Sequence, residues 1–284
     1  MRFALVSATG ETSTNYDTTV HVALVSDPPT IANLAGDSFT FSEKTAAAII
    51  DQGTLATVSD VDNANFNTGT LTVSIPVGNA SAEDILGIRN QGSGAGQIGI
   101  SGSNVQYAGT TIGTFAGGTS GANLVITFNA NADAAATSAL INNITYQDTS
   151  DTPSTADRTV RFSLVSATGE TSTNYDTTVH VALVSDPPTI ANLAGDAFTF
   201  SEKTAAAIID QGTLASVTDV DNANFNTGTL TVSIPTGNAS AEDILGIRNG
   251  WWIRNQCNMN RCVVIGTGFP CCTHKRESDG AICC

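Results

Sequence analysis

Cysteine and tryptophan are absent from residues 1–249, and aromatic residues make up only 6% of the chain. A segment without cysteine cannot be held together by disulfides or by cysteine-ligated zinc. No apolar run reaches the eighteen or so residues that a membrane-spanning helix needs. We therefore expect no membrane insertion.

Basic residues are also scarce. The chain has 26 acidic side chains against 11 lysines and arginines, a formal net charge of −15. Such a surface repels phosphates, which argues against nucleic acid as a partner. It suits a solvated extracellular surface or one that collects divalent cations, so we expect a secreted or cell-surface protein.

The chain repeats itself. Residues 2–90 align with residues 161–249 at an offset of 159 without a gap, and only five positions differ, each by one small residue for another. A unit this long is a whole domain rather than a solenoid repeat. The proline pairs Pro28-Pro29 and Pro187-Pro188 indicate linkers, because proline interrupts strands and stiffens the chain.

The repeat and its proline-containing linkers predict four segments. Residues 1–26 are the C-terminal hairpin of a truncated preceding repeat, and residues 27–185 are one complete repeat. Residues 186–249 are the N-terminal part of a truncated following repeat. Residues 250–284 form a tail that abandons the repeat.

The tail contains all six cysteines and both tryptophans. We interpret it as an out-of-frame or misassembled end, because a shifted reading frame produces such an abrupt change of composition. The alternative is a disulfide-stapled mini-domain, for which six cysteines allow fifteen connectivities. A zinc site is a weaker alternative, since the tail has one histidine and no CxxC spacing.

Period-two alternation of Val, Ile, Thr and Phe predicts an all-β fold. Two short helical pieces interrupt the strands. Ser81-Ala82-Glu83-Asp84 resembles a capping box, and Asn131-Ala132-Asp133 caps a second run. Eight or more short strands with turn signals favour an antiparallel β-sandwich, with the glycine-rich residues 92–121 as an insertion. The predicted strands are 38–43, 47–51, 55–60, 69–76, 97–109 as a hairpin, 111–117, 123–129, 158–169 and 173–184.

Three tracts resemble a known family: DVDNANFNTGTLTVS, LGIRNQGSGAGQIGISGSNVQYAG and DTSDTPSTADRTVRFSLV. They look like the tandem cadherin-like repeats of very large bacterial secreted and surface proteins, which are commonly exported by type I secretion and include RTX-type adhesins. The resemblance covers residues 1–249. It implies an Ig-like or cadherin-like sandwich, calcium at domain junctions and a role as a stalk or adhesin. The RTX nonapeptide GGxGxDxUx is absent, so its calcium roll is not expected.

Candidate metal ligands stand out at Asp60-Val61-Asp62. In an extended chain residues i and i+2 point the same way, so both carboxylates would face one site. Calcium takes six to eight oxygens, several of them from carboxylates. An EF-hand is excluded, because its glycine and final glutamate positions are occupied by Asn65 and Leu71.

The resemblance implies a larger ligand set. A linker aspartate and the DxD pair of the same domain would share calcium with acids from the preceding domain. Solvation of these acids, or turn formation through their own backbone, is the open alternative. The implied ligands are Asp27, Glu43, Asp60, Asp62, Asp148, Asp151, Asp186, Glu202, Asp219 and Asp221.

No Ser-His-Asp arrangement is readable, and we expect no enzymatic activity. The expected function is a calcium-stiffened structural spacer in a large secreted or cell-surface protein, with neighbouring repeats of the same chain as partners. Near-identical repeats favour a spacer, because duplication disturbs no unique site. The alternatives are a module that binds a host or matrix glycan or protein, or a carrier of a disulfide-rich mini-domain.

Overall fold

The computed structural model describes residues 1–23, 25–239 and 242–247. The chain divides into two compact units, the first spanning Met1–Leu183 and the second beginning at Val184. The predicted cysteine-rich tail at 250–284 lies outside the described residues.

Nearly all the regular secondary structure of the described residues is β-strand in mainly antiparallel sheets, which confirms the predicted all-β class. The described residues of the first unit form fifteen strands and one short helix, α1 (Ala134–Ile141). The strands are β1 (Arg2–Phe3), β2 (Tyr16–Asp17), β3 (Thr30–Ala32), β4 (Ser38–Ser42), β5 (Ala48–Ile49), β6 (Thr57–Ser59), β7 (Thr70–Val77), β8 (Asp84–Ile88), β9 (Ile98–Ser101), β10 (Asn104–Tyr107), β11 (Thr110–Ala116), β12 (Leu124–Phe128), β13 (Ile144–Asp148), β14 (Arg158–Leu164) and β15 (Tyr175–Ala182).

One large sheet carries the first unit. Its strand order is β4-β15-β14-β7-β12-β11-β10-β9, and every neighbouring pair is antiparallel except β4 and β15, which are parallel. A three-stranded sheet β5-β13-β8 and a pair β3-β6 complete the fold. Phe41 of the large sheet meets Tyr146 of the three-stranded sheet edge to face, with ring centroids 5.3 Å apart. This contact lies in the shared core, as a β-sandwich requires.

Strand alternation explains the core. Along β14 the side chains of Val160, Phe162 and Leu164 are fully buried, while the residues between them are half-buried. Leu71 and Val73 do the same along the neighbouring strand β7. The period-two pattern of the sequence therefore predicts which face of each strand packs inward.

Of the two predicted helical pieces, the structure contains one and lacks the other. Helix α1 begins where expected, because the Asp133 carboxylate accepts the Ala136 N–H at 2.8 Å as an N-cap. The predicted helical piece at 81–84 was wrong: these residues form a turn that leads directly into β8. Asp84 accepts the Ala80 N–H at 2.5 Å, but its carboxylate is also buried against Arg158, which requires an extended strand there.

The glycine-rich stretch is part of the large sheet. Residues 98–116 form β9, β10 and β11, and the β9–β10 hairpin turns at Gly102-Ser103 as predicted. The sequence predicted an insertion at 92–121 that itself contains strands at 97–109 and 111–117. The glycines allow close backbone approach: a Cβ on Gly113 would overlap the carbonyl oxygen of Thr127 on β12.

The described part of the second unit contains less β-sheet than the first unit. Within its described part, residues 184–239 and 242–247, the strands are β16 (Thr189–Ala191) and β17 (Ser216–Thr218), paired antiparallel. They are the repeat equivalents of β3 and β6 in the first unit. The segments equivalent to β4 and β7 form no continuous strand there.

Across the described residues, no helix combines the length and the apolar character needed to cross a bilayer.

Candidate metal centre

The linker of the complete repeat is tied to the DxD loop. The Asp62 carboxylate accepts the backbone N–H of Asp27 at 2.6 Å, across 35 positions of sequence. Both residues are exposed. β3 leaves the linker and pairs antiparallel with β6, so the start of β3 and the end of β6 lie side by side. This pairing places the predicted linker ligand beside the predicted DxD ligands.

Asp60 has a different local role from Asp62. The segment after β6 is a bend rather than an extended strand, so the expected shared direction of the two side chains does not follow from strand geometry. Asp60 Oδ1 accepts the N–H groups of Asp62 at 3.0 Å and Asn63 at 2.9 Å. The Asn63 side-chain amide also donates to both Asp60 oxygens. Asp60 therefore shapes the loop that presents Asp62.

The second unit reproduces this arrangement. The Asp221 carboxylate accepts the backbone N–H of Asp186, and Asp219 Oδ1 accepts the N–H groups of Asp221 at 3.0 Å and Asn222 at 2.8 Å. All the bonds lie within residues 186–222. The linker contact therefore depends only on the opening segment of a repeat.

A further loop supports this end of the complete repeat, and sequence reasoning missed it. Thr168, between β14 and β15, accepts the Asn63 amide at 3.1 Å and is 2.8 Å from the Ser26 hydroxyl. Glu170 in the same loop accepts the Ser166 hydroxyl at 2.9 Å. Hydrogen bonding from Thr168, then from Ser166, holds the pKa of Glu170 below its usual value, so it is an additional anionic oxygen donor there.

Glu43 is the least solvated predicted ligand. It follows β4, its N–H donates to the Ala182 carbonyl at the end of β15, and its side chain is buried. Neither carboxylate oxygen has a hydrogen-bond partner. Lys44 Nζ lies 3.5 Å from Glu43 Oε1, with the lysine side chain more than a third exposed. A buried carboxylate without hydrogen bonds is costly unless a cation compensates it, which makes Glu43 a fitting metal ligand.

Asp148 and Asp151 lie near Lys44 in the same unit. All three line one surface depression. Asp151 is exposed, whereas Asp148 is buried and already accepts Arg158 Nη2 at 3.2 Å. Burial raises the pKa of the Asp148 carboxyl, against the opposing effects of the Ser150 N–H and the Arg158 guanidinium. Asp148 is thus partly neutralised by protein, and Asp151 is the better placed of the two to bind an ion.

Glu202, the repeat equivalent of Glu43, is exposed and lies 3.7 Å from Lys203 Nζ. Asp186 and Asp221, which are joined by the linker hydrogen bond, are predicted ligands that the second unit brings together. Carboxylate oxygens suit calcium, magnesium or manganese rather than softer metals.

A buried charge network was also missed from sequence. Arg158, which is fully buried, donates to Asp84 and Asp148, and the Tyr146 hydroxyl donates to Asp84 at 2.6 Å. Burial and the Asp84 hydrogen bond raise the pKa of Tyr146 well above its usual value. These side chains are fully hydrogen-bonded to one another and join the three-stranded sheet to β14, which is a structural role.

His180 Nδ1 lies 2.7 Å from Asp157 Oδ1 on the surface of β15.

No known family model matches the chain. No curated protein matches it either.

Proposed function

We propose that this chain is a non-catalytic, calcium-stiffened spacer of a large secreted or cell-surface bacterial protein, in the manner of an adhesin stalk. The observation that supports it most is the linker-to-loop hydrogen bond, which is the same in both copies: Asp27 to Asp62 and Asp186 to Asp221. A feature repeated with its geometry belongs to every module rather than to one unique site.

The physical argument is electrostatic. Asp27, Asp60, Asp62 and Glu170 gather carboxylates around one linker, and each repels the others when no cation is near. A divalent cation bound among them neutralises that charge and fixes the linker against the loop. The linker is then rigid in calcium and flexible without it. Glu43, Asp148 and Asp151 lie at the other end of the repeat, where β15 ends. In the same proposal they are metal ligands at that end.

Calcium is favoured over magnesium by the ligand set. Carboxylates on a bent loop, with Asn63 and Thr168 oxygens nearby, supply many ligands in an irregular arrangement. Calcium accepts such sites, whereas magnesium requires near-octahedral geometry.

The direct test is isothermal titration of the full chain with Ca²⁺ and Mg²⁺. We expect Ca²⁺ binding with a dissociation constant of about 10⁻⁴–10⁻³ M, the range of extracellular modules, and a rise in melting temperature. The double variant Asp62→Asn/Asp221→Asn should lower the affinity at least about tenfold. Asparagine keeps an acceptor oxygen for the linker N–H, so only the charge is removed.

The matched control is Asp157→Asn, which removes one exposed charge that pairs with His180 instead of the linker. It should bind Ca²⁺ like the unmodified chain. An unmodified chain that takes up no Ca²⁺ at millimolar concentration would overturn the proposal.

A further inference from the structure

Two aspartates outside the candidate metal centre fasten the β5–β6 loop, residues 50–56. The Asp37 carboxylate accepts the Gln52 N–H at 2.6 Å, and the Asp51 carboxylate accepts the Ala56 N–H at 3.0 Å. Asp51 is only 5% exposed, and its second oxygen, Oδ1, is buried without a hydrogen-bond partner. The loop is therefore held by two carboxylates, one of which has an unsatisfied buried oxygen.

The pair joins the two sheets of the complete repeat. Asp37 stands immediately before β4, and its carbonyl oxygen accepts an N–H of β15, so it belongs to the large sheet. Asp51 follows β5 of the three-stranded sheet, and the Ile50 N–H beside it donates to Ile144 on β13. The hydrogen bond from Gln52 to Asp37 therefore crosses from one sheet to the other.

The same contacts recur in the second unit. The Asp196 carboxylate accepts the Gln211 N–H, and the Asp210 carboxylate accepts the Ala215 N–H at 2.9 Å. Asp210 Oδ1 is again buried without a hydrogen-bond partner. An unsatisfied oxygen that appears in both copies follows from the sequence of the segment rather than from one packing environment.

An unsatisfied carboxylate oxygen beside a second carboxylate points to a bound proton. Two ionised carboxylates are both hydrogen-bond acceptors, so they repel and cannot bond each other. A proton on Asp51 Oδ1 can be donated to Asp37, which lies within reach of such a hydrogen bond, while Oδ2 still accepts the Ala56 N–H. One proton thus satisfies the buried oxygen and removes the repulsion.

Other charged groups around the loop are already accounted for. β3, β4, β5, β6 and α1 contain no acidic, basic or tyrosine residue. Burial raises the pKa of Asp51 against the effect of the Ala56 N–H, and Asp37 raises it further. The titratable residues of the adjoining strands β13 and β15 have partners of their own: Tyr146 and Asp148 in the Arg158 network, Asp176 on Arg161, His180 on Asp157, and Tyr175 at the Ile31 N–H.

We propose that Asp37 and Asp51 form a binding site for a single proton, which closes the β5–β6 loop across the two sheets in acid and is released as pH rises. Once the proton leaves, two carboxylates face each other, and the loop opens so that water reaches Asp51 Oδ1. A group whose pKa is raised on folding stabilises the closed state fully below its unfolded value and loses that contribution as pH rises through the folded value. The transition therefore lies above about pH 4.

The test is amide hydrogen exchange of the full chain, in chelator, between about pH 4 and 7. NMR is the suitable detection, because residues 39–56 and 198–215 are identical and give peptides of equal mass. The protection factors of the Gln52 and Ala56 amides should fall with rising pH, by about tenfold for each unit by which the pKa of the pair is raised.

A variant imitates the protonated state. In Asp51→Asn the side-chain amide can donate to Asp37 while its oxygen accepts the Ala56 N–H. This protein should protect the Ala56 amide at neutral pH as strongly as the unmodified chain does in acid. The matched control is Asp133→Asn, the same change at another aspartate that accepts a backbone N–H, from Ala136. It should keep the pH dependence of the unmodified chain.

Three results would overturn the proposal. Equal protection of the Ala56 amide in acid and at neutral pH would mean that the pair binds no proton in this range. An Asp51→Asn protein that keeps the pH dependence would place the proton on another group. Ca²⁺ that restores protection at neutral pH in the unmodified chain, but not in Asp51→Asn, would show that a metal ion occupies the pair instead.

Discussion

Residues 27–90 and residues 186–249 share nearly every amino acid, yet among the described residues of these two segments only those of the first are part of a packed core. Leu71, Val73 and Phe41 are buried, and their equivalents Leu230, Val232 and Phe200 are exposed. Local hydrogen bonds survive in both copies, including Gln52 N–H to Asp37 and Gln211 N–H to Asp196. Turns, loops and the pairing of β3 with β6 are therefore encoded within each segment, whereas the strands of the large sheet and their burial depend on partners from elsewhere in the domain.

The largest effect should come from the core aromatic. Phe41→Ala removes a fully buried ring in contact with Tyr146 and should cost about 3–5 kcal/mol of unfolding free energy. Phe200→Ala, the same change at the equivalent position, should leave stability nearly unchanged at concentrations where the chain is monomeric. Urea denaturation of both proteins measures the difference. Equal losses would mean that the second copy is packed like the first.

The second-largest difference in stability loss between the two copies should come from the buried charge network. Asp84→Ala leaves Arg158 with one buried carboxylate partner and removes the acceptor of the Tyr146 hydroxyl, at a cost of about 3 kcal/mol or more. Asp243→Ala removes an exposed side chain that accepts the Ala239 N–H. Its effect on the same denaturation curve should be within about 1 kcal/mol. A mild Asp84→Ala phenotype would contradict the network's structural role.

A glycine pair tests close backbone approach. A Cβ on Gly69 would overlap the Val165 carbonyl oxygen at the end of β14, so Gly69→Ala should destabilise the complete repeat by about 1–3 kcal/mol. Gly228 has no such neighbour in the second unit, where the nearest atom to an added Cβ is the Phe225 carbonyl oxygen at 3.1 Å. Gly228→Ala should be tolerated. Melting curves of the two variants provide the comparison.

The smallest effect concerns a buried carboxyl. Burial raises the pKa of Asp51, Asp37 adds repulsion, and Asp51 Oδ1 has no hydrogen-bond partner. Because the folded pKa is raised, the contribution of Asp51 to stability is complete at low pH and is lost as pH rises through that pKa. Asp51→Asn should therefore stabilise the protein by about 1 kcal/mol at pH 7 and by less at pH 4. Urea midpoints at both pH values show whether Asp51→Asn raises or lowers the unfolding free energy. An Asp51→Asn protein that is less stable at pH 7 would contradict the prediction.

Sequence reasoning located strands well where alternation was strong. β7, β12, β14 and β15 all lie within or beside their predicted ranges, because Val, Ile and Phe alternate there with polar residues. β13 was missed because its residues Ile144 and Tyr146 continue the apolar pattern of α1. β8 was missed because a capping signal at Ser81–Asp84 competes with a long-range ion pair that no local pattern reveals.

The candidate metal site was predictable only in part. Asp27 with Asp62, and Asp186 with Asp221, were grouped in advance only through the resemblance to cadherin-like repeats, which implies that a linker aspartate and the DxD pair share an ion. Glu170 could not be grouped with them, since its proximity depends on the β14–β15 loop folding back onto Asn63 through Thr168. The partial neutralisation of Asp148 was equally hidden, because Arg158 sits on another strand.

The parallel pairing of β4 with β15 has a mechanical consequence. β4 lies near the beginning of the complete repeat and β15 at its end, and five consecutive residue pairs join them in the same direction. Tension applied through the two ends pulls these strands past each other, so all the hydrogen bonds between them are loaded together. An antiparallel terminal pair would open one bond at a time. A module with this topology resists stretching when it is pulled through its two ends.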